Sequence, residues 1–211
     1  TKTKARVREP RARLSPEARR RQLLDVAAAL LTERGAEHVQ VTDLADVAGV
    51  TRPVVYRYFP TRAALIVAVV EDFEQMLEAR YAAAFTRALP SSLEGIVRVF
   101  IVASCDAIDE RGAGSWYLLD ARTSDPEVGK VGEMFHVRLL APWRARLSEL
   151  SGASELEVDT VLRVVVASAR AVLDRYIEGV LAREAAIELA TFVTTALLEA
   201  FERRTQSNLA P

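Results

Sequence analysis

Residues 41–59, VTDLADVAGVTRPVVYRYF, hold two short helical stretches separated by a single glycine turn. Thr42 can cap a helix over Asp43–Ala48 and Gly49 ends it. Thr51 can cap the next helix at once, and Pro60 stops that one. Ala45 is small enough to let the second helix cross closely, and Gly49 takes a left-handed conformation at little cost. Leu44, Ala48, Val50, Val55 and Phe59 fall where a crossed pair needs apolar contacts. The pair can pack on a preceding helix that carries Leu23, Ala27, Leu30 and Leu31. This is the pattern of a helix-turn-helix, with an ordinary helical hairpin as the alternative.

The remainder reads as helix throughout. Ser15-Pro16 opens the first helix and Gly35 closes it. Thr61 can cap a fourth, apolar through Leu65, Val69, Phe73, Met76 and Leu77 to about Phe85. Ser92 starts a fifth, Arg111 to Ser115 reads as a loop, and a short helix is expected over Trp116–Arg122. A helix after Pro126 is one that Pro142 can kink. Two long helices, about 155–181 and 183–204, close the chain. No segment shows sustained strand alternation. The expected fold is all-α: an N-terminal three-helix helix-turn-helix unit over 15–62 joined to a larger helical unit over 63–211. Residues 1–14, with six basic side chains and one acid, read as a disordered basic arm.

A net charge of −1 hides an asymmetry. Residues 1–62 carry 13 Lys and Arg against 7 Asp and Glu, and residues 63–211 carry 15 against 22. The N-terminal part therefore suits a polyanion. Within it, the helix after Thr51 places Val55 and Phe59 on one face, to be buried. Its other faces carry Arg52, Pro53, Val54, Tyr56 and Arg57, with no acid. Arginine grips guanine bidentately in the major groove and tyrosine hydroxyls donate to phosphates.

The run Tyr56-Arg57-Tyr58-Phe59-Pro60-Thr61-Arg62-Ala63-Ala64-Leu65 completes a motif, and residues 41–65 resemble the helix-turn-helix of the TetR-family transcriptional regulators. Ala63 stands where an acid is common, and Pro53 where glycine or a small residue is frequent. The resemblance implies phosphate contacts from Thr42, Tyr56 and Arg62, with Thr51 and Thr61 beside them. It gives Tyr58 either a phosphate or a packing role, and gives base reading to Arg52, Pro53, Val54 and Arg57. It further implies a homodimeric repressor on a palindromic operator, released by a small apolar or amphipathic effector. An activator of the same fold and a helical protein-interaction module stay open as alternatives.

In such proteins the C-terminal region binds the effector and dimerises. Candidate pocket residues are Phe73, Met76, Phe100, Ser104, Cys105 and Trp116. Tyr117, Leu119, Phe135, His136, Trp143 and Arg170 join them. Each also fits an ordinary core. Candidate dimer residues are Val161, Val165, Ala169 and Leu173 on one closing helix, and Ala190, Val193, Thr194, Leu197 and Phe201 on the other. The same stripes could instead serve the chain's own core.

Other functions find no support. One cysteine excludes a disulfide framework and thiolate zinc sites. The two histidines lie far apart and no H-E-x-x-H occurs, so no metal or other cofactor is expected. No P-loop, G-x-S-x-G or dinucleotide glycine motif marks an enzyme. The longest late uncharged run, Leu189 to Leu198, is ten residues, and no apolar signal core follows the basic start. A cytoplasmic setting is the expectation.

Overall fold

The computed structural model describes residues 14–35, 38–88, 92–119 and 126–209. Among them the chain is α-helical, with no strand. Residues 1–13 of the expected basic arm lie outside the described residues, as do residues 120–125.

Three helices form the N-terminal unit. The first, α1 (Pro16–Arg34), is capped by Ser15, whose Oγ accepts from Ala18 N at 3.1 Å. Gly35 ends it at φ 79°, outside the range of most side chains. The second, α2 (Val41–Ala48), starts earlier than the sequence suggests. Gln40, not Thr42, is its N-cap, and Asp43 Oδ2 accepts from Gln40 N at 3.0 Å. The acid three residues in competes successfully for the cap, and Thr42 falls in the first turn. Gly49 closes α2 in the left-handed region, φ 65° and ψ 37°. From there the chain turns directly into α3 (Arg52–Tyr58). Leu23, Leu24, Leu44, Val55 and Phe59 are buried together where the three helices meet.

The fourth helix, α4 (Arg62–Ala88), ties this unit to the rest. Its early residues Leu65, Ile66, Val69 and Val70 join the same continuous core as Leu77 and Tyr81 farther along. Next come α5 (Leu93–Arg111) and α6 (Ala113–Leu118), parted only by Gly112. The loop expected over Arg111–Ser115 is therefore a single residue, and α6 begins and ends before the expected 116–122. Gly112 at φ 81° supplies the whole turn.

The chain continues through α7 (Pro126–Ser151), which runs unbroken past Pro142. A capping box from Ser154 and Glu157 opens α8 (Glu155–Ile177), and Gly179 precedes α9 (Arg183–Leu209). The last two helices pack along each other, and both reach α5 and α7.

A basic helix face and an apolar cavity

Burial of Val55 and Phe59 fixes which side of α3 faces outward. Thr51, Arg52, Pro53, Tyr56 and Arg57 are exposed, and Val54 is half-buried. Arg52 and Arg57 form no ion pair within the described chain. Thr51 is the N-cap of α3 but makes no side-chain capping bond. These groups therefore meet solvent with their hydrogen-bonding capacity available.

The flanking candidates are held differently. Thr42 is half-buried near the start of α2. Tyr58 is half-buried too, its ring 6.4 Å from that of Phe59. Its position therefore serves packing at least in part. Thr61 Oγ1 accepts from Ala64 N at 3.0 Å, which makes it the cap of α4. Arg62 Nε donates to the Val39 carbonyl at 3.1 Å, lashing the start of α4 to the segment before α2.

In the C-terminal unit, helices α4 to α9 line a cavity of about 120 Å³. Phe100, Ser104, Trp116, Leu119, Trp143 and Arg170 from the sequence candidates stand in its wall. Four others do not. Phe73 is buried on α4 outside the wall, and Met76 instead borders a polar groove with Arg21, Asp72 and Arg111. Cys105 lies one position past Ser104 and so turns about 100° away. Burial pushes its thiol up to about 11, so it is a neutral small hydrophobe. Tyr117 is exposed. The side chains of Phe135 and His136 lie outside the described ones.

The wall also holds residues the sequence assigned elsewhere. Val165, Ala169, Leu173 and Thr194, read as dimer contacts, line the cavity. Ala190 and Phe201 are buried within the chain as well, and Val161 and Leu197 pack against its core. Val193 is half-buried. An apolar stripe reveals that a face is buried, not against what. Tyr81 was missed, although it continues the Phe73–Leu77 spacing by one more turn of α4. Ser104 Oγ donates to the Phe100 carbonyl at 2.9 Å. With that hydrogen committed, the Tyr81 hydroxyl donates to Ser104 Oγ, also at 2.9 Å. Burial lifts the Tyr81 phenol to about 12, so it remains a donor. The ring of Phe100 meets Tyr81 edge-on at 4.6 Å and Trp143 at 5.8 Å.

At one end of the wall, the Trp116 indole donates to Asp174 Oδ1 at 3.0 Å. The Arg170 guanidinium stacks over that indole at 5.6 Å, with Asp174 within 4.0 Å. Trp116 is two residues from Gly114, whose N–H donates to Thr32 Oγ1 on α1 at 3.0 Å. A Cβ at Gly114 would stand 2.4 Å from the Thr32 nitrogen, so only glycine allows this approach. A second tie runs through Arg111, paired with Asp25 of α1 and, at 2.7 Å, with Asp72 of α4. The cavity wall and α1, which packs behind the helix-turn-helix, are thus in contact through one short helix.

Among the described residues no cluster suits a metal ion, and no single helix is long and apolar enough to cross a membrane.

Residues 23–69 match the family described as bacterial regulatory proteins, tetR family. The chain is 35% identical over 98 residues to the HTH-type transcriptional repressor KstR2 of Mycolicibacterium smegmatis, covering 46% of this chain and 47% of that protein. It is 31% identical over 91 residues to KstR2 of Rhodococcus jostii, covering 43% and 44%. The chain thus spans about half the length of the curated relatives it matches. Among solved structures, a TetR-like transcriptional regulator from Rhodococcus sp. RHA1 superposes with a TM-score of 0.66 at 22% identity, over 89% of this chain and 99% of that one. At that identity the superposition speaks for the fold alone.

Proposed function

We propose that the chain is a TetR-family transcriptional regulator, a homodimeric repressor that leaves a palindromic operator when a small molecule fills the cavity. The observation that carries this reading is the outward face of α3, where Arg52, Tyr56 and Arg57 stand exposed without an acid. A short helix held from behind by Val55 and Phe59 suits end-on entry into a major groove. Arg52 and Arg57, with Pro53 and Val54 between them, read base edges. Thr42, Thr51, Tyr56, Thr61 and Arg62 border the phosphates. Residues 15–62 form the DNA-binding unit and residues 63–211 the effector and dimer unit. Repression is supported by the KstR2 relatives, which are transcriptional repressors.

Release follows a population shift. A ligand that binds better when Trp116 and α6 are displaced favours the state in which α1 is displaced too. The two recognition helices then lose the spacing of about 34–36 Å that adjacent major grooves require.

The test is a duplex titration over a salt series. A dimer that neutralises roughly 6–10 phosphates loses about 10³–10⁵ in affinity between about 50 and 200 mM salt. Affinity that stays flat over that range would remove the DNA-binding reading.

A further inference from the structure

Resting on the reading of the cavity as the effector site, we propose that it selects a small, electrically neutral molecule of single-ring size bearing one hydrogen-bonding oxygen, which the Thr194 hydroxyl holds. Size comes first. The cavity is about 120 Å³, a little below the apolar cavity of about 150 Å³ that takes benzene, so a single ring is the upper limit for a guest. Phe100, Trp116 and Trp143 present ring faces and edges to such a guest.

Charge comes second. Arg170 is the cation in the described wall, and Asp174 lies 4.0 Å from it. Its guanidinium is further occupied by the Trp116 ring and by the Trp116 and Tyr117 carbonyls, each at 3.4 Å. An anionic guest would meet a pair that is already neutral, and its own charge would be buried uncompensated.

Polarity comes third. The hydrogens of Tyr81, Ser104 and the Trp116 indole are committed to Ser104, Phe100 and Asp174. Thr194 is different. It lines the cavity at 6% exposure, and its Oγ1 has no partner. Thr191 and Thr195 on the same helix are also unpartnered, but they are not in the wall. With no protein bond to hold it, the Thr194 hydroxyl is able to rotate toward a guest oxygen as donor or acceptor. A hydrocarbon would leave it unsatisfied.

The experiment is calorimetric titration of the whole chain with phenol, toluene and benzoate. Thr194→Val removes the hydroxyl at constant shape. It is expected to lower the phenol-to-toluene affinity ratio about tenfold. Thr194→Ser keeps the hydroxyl and is expected to keep the ratio. Benzoate is expected to bind the native chain more weakly than phenol. An unchanged ratio in Thr194→Val overturns the role of Thr194 while leaving the cavity as a binding site. Benzoate binding as tightly as phenol overturns the neutral-ligand assignment. Failure of both toluene and phenol to bind the native chain sinks the effector-site reading itself.

Discussion

Arg57 and Arg62 carry the same charge under different constraints. Arg57 is exposed on α3 with no ion pair, whereas Arg62 already donates to the Val39 carbonyl. Arg57→Ala is therefore expected to cost about 1–3 kcal/mol of preference at one base position without moving the unfolding temperature. Arg62→Ala is expected to weaken specific and random duplexes alike and also to lower the unfolding temperature, since a bond between α4 and the approach to α2 is lost. Competition titration on both duplexes, beside thermal unfolding, checks the pair; identical behaviour of the two variants would remove the distinction. Glu74 offers a second residue-scale case. It is 2% exposed, its Oε2 accepts from Arg138 at 2.7 Å, and its Oε1 has no partner. Burial outweighs the Arg138 charge and lifts the carboxyl from 4.5 to about 7. A raised folded value means that the protonated form favours the fold. That contribution is complete below about pH 4.5 and is lost as pH rises through about 7. Glu74→Gln, fixed in the neutral form, is expected to melt higher than the native chain near pH ~8 and to match it near pH ~4.5. A native chain that melts higher at both values would contradict the argument. The sequence showed neither constraint, because both depend on what lies across the fold: Val39 for Arg62, and α7 for Glu74.

At the scale of elements, local chemistry was legible wherever a helix began or ended by its own residues. Ser15 and Ser92 cap their helices, and Gly35 and Gly49 end theirs. Reading failed where a neighbour decides. Thr42 lost the cap to Gln40 because Asp43 answers the Gln40 N–H. The glycines after Arg111 suggested a loop, yet Gly112 makes the turn alone and Gly114 is helical for a different reason. Gly114 is there to touch α1, and no periodicity encodes that. The contact gives a prediction. Gly114→Ala puts a Cβ 2.4 Å from the Thr32 backbone nitrogen and 2.5 Å from the Leu31 carbonyl carbon. Neither backbone atom can swing aside, so α6 must lift from α1. Stability is expected to fall by about 1–3 kcal/mol in denaturant unfolding. Release of DNA by a cavity-filling ligand is expected to weaken more than ligand binding itself. An alanine variant as stable as the native chain would show that α6 is free to shift without cost.

At the scale of the whole molecule, the closing helices have two apolar sides, and the inward one uses the residues first assigned to a partner. Leu162, Val165 and Leu173 on α8, with Ala190, Thr194 and Leu198 on α9, are buried within one chain. Two positions along each helix, about 200° around, the outer sides remain. Val164, Ala167 and Ala171 are exposed on α8, as are Leu189 and Phe192 on α9. Phe192 is 70% exposed, an unusual position for a phenylalanine with nothing to cover it. A second copy related by a twofold axis would cover these stripes and set two α3 helices on one face of a duplex. Leu197, half-buried against the chain's own core, would confuse dimer loss with unfolding. Phe192 separates them. In a lone chain Phe192→Glu places its charge in water and leaves the core intact, so helicity and melting should persist. In a dimer the same carboxylate is buried twice without a partner, at a cost of several kcal/mol. Light scattering is therefore expected to report a folded monomer. Operator affinity is expected to fall with the dimer, because one recognition helix has too few base contacts to hold a specific site. A Phe192→Glu chain that scatters as a dimer and binds its operator normally would place the interface away from α8 and α9.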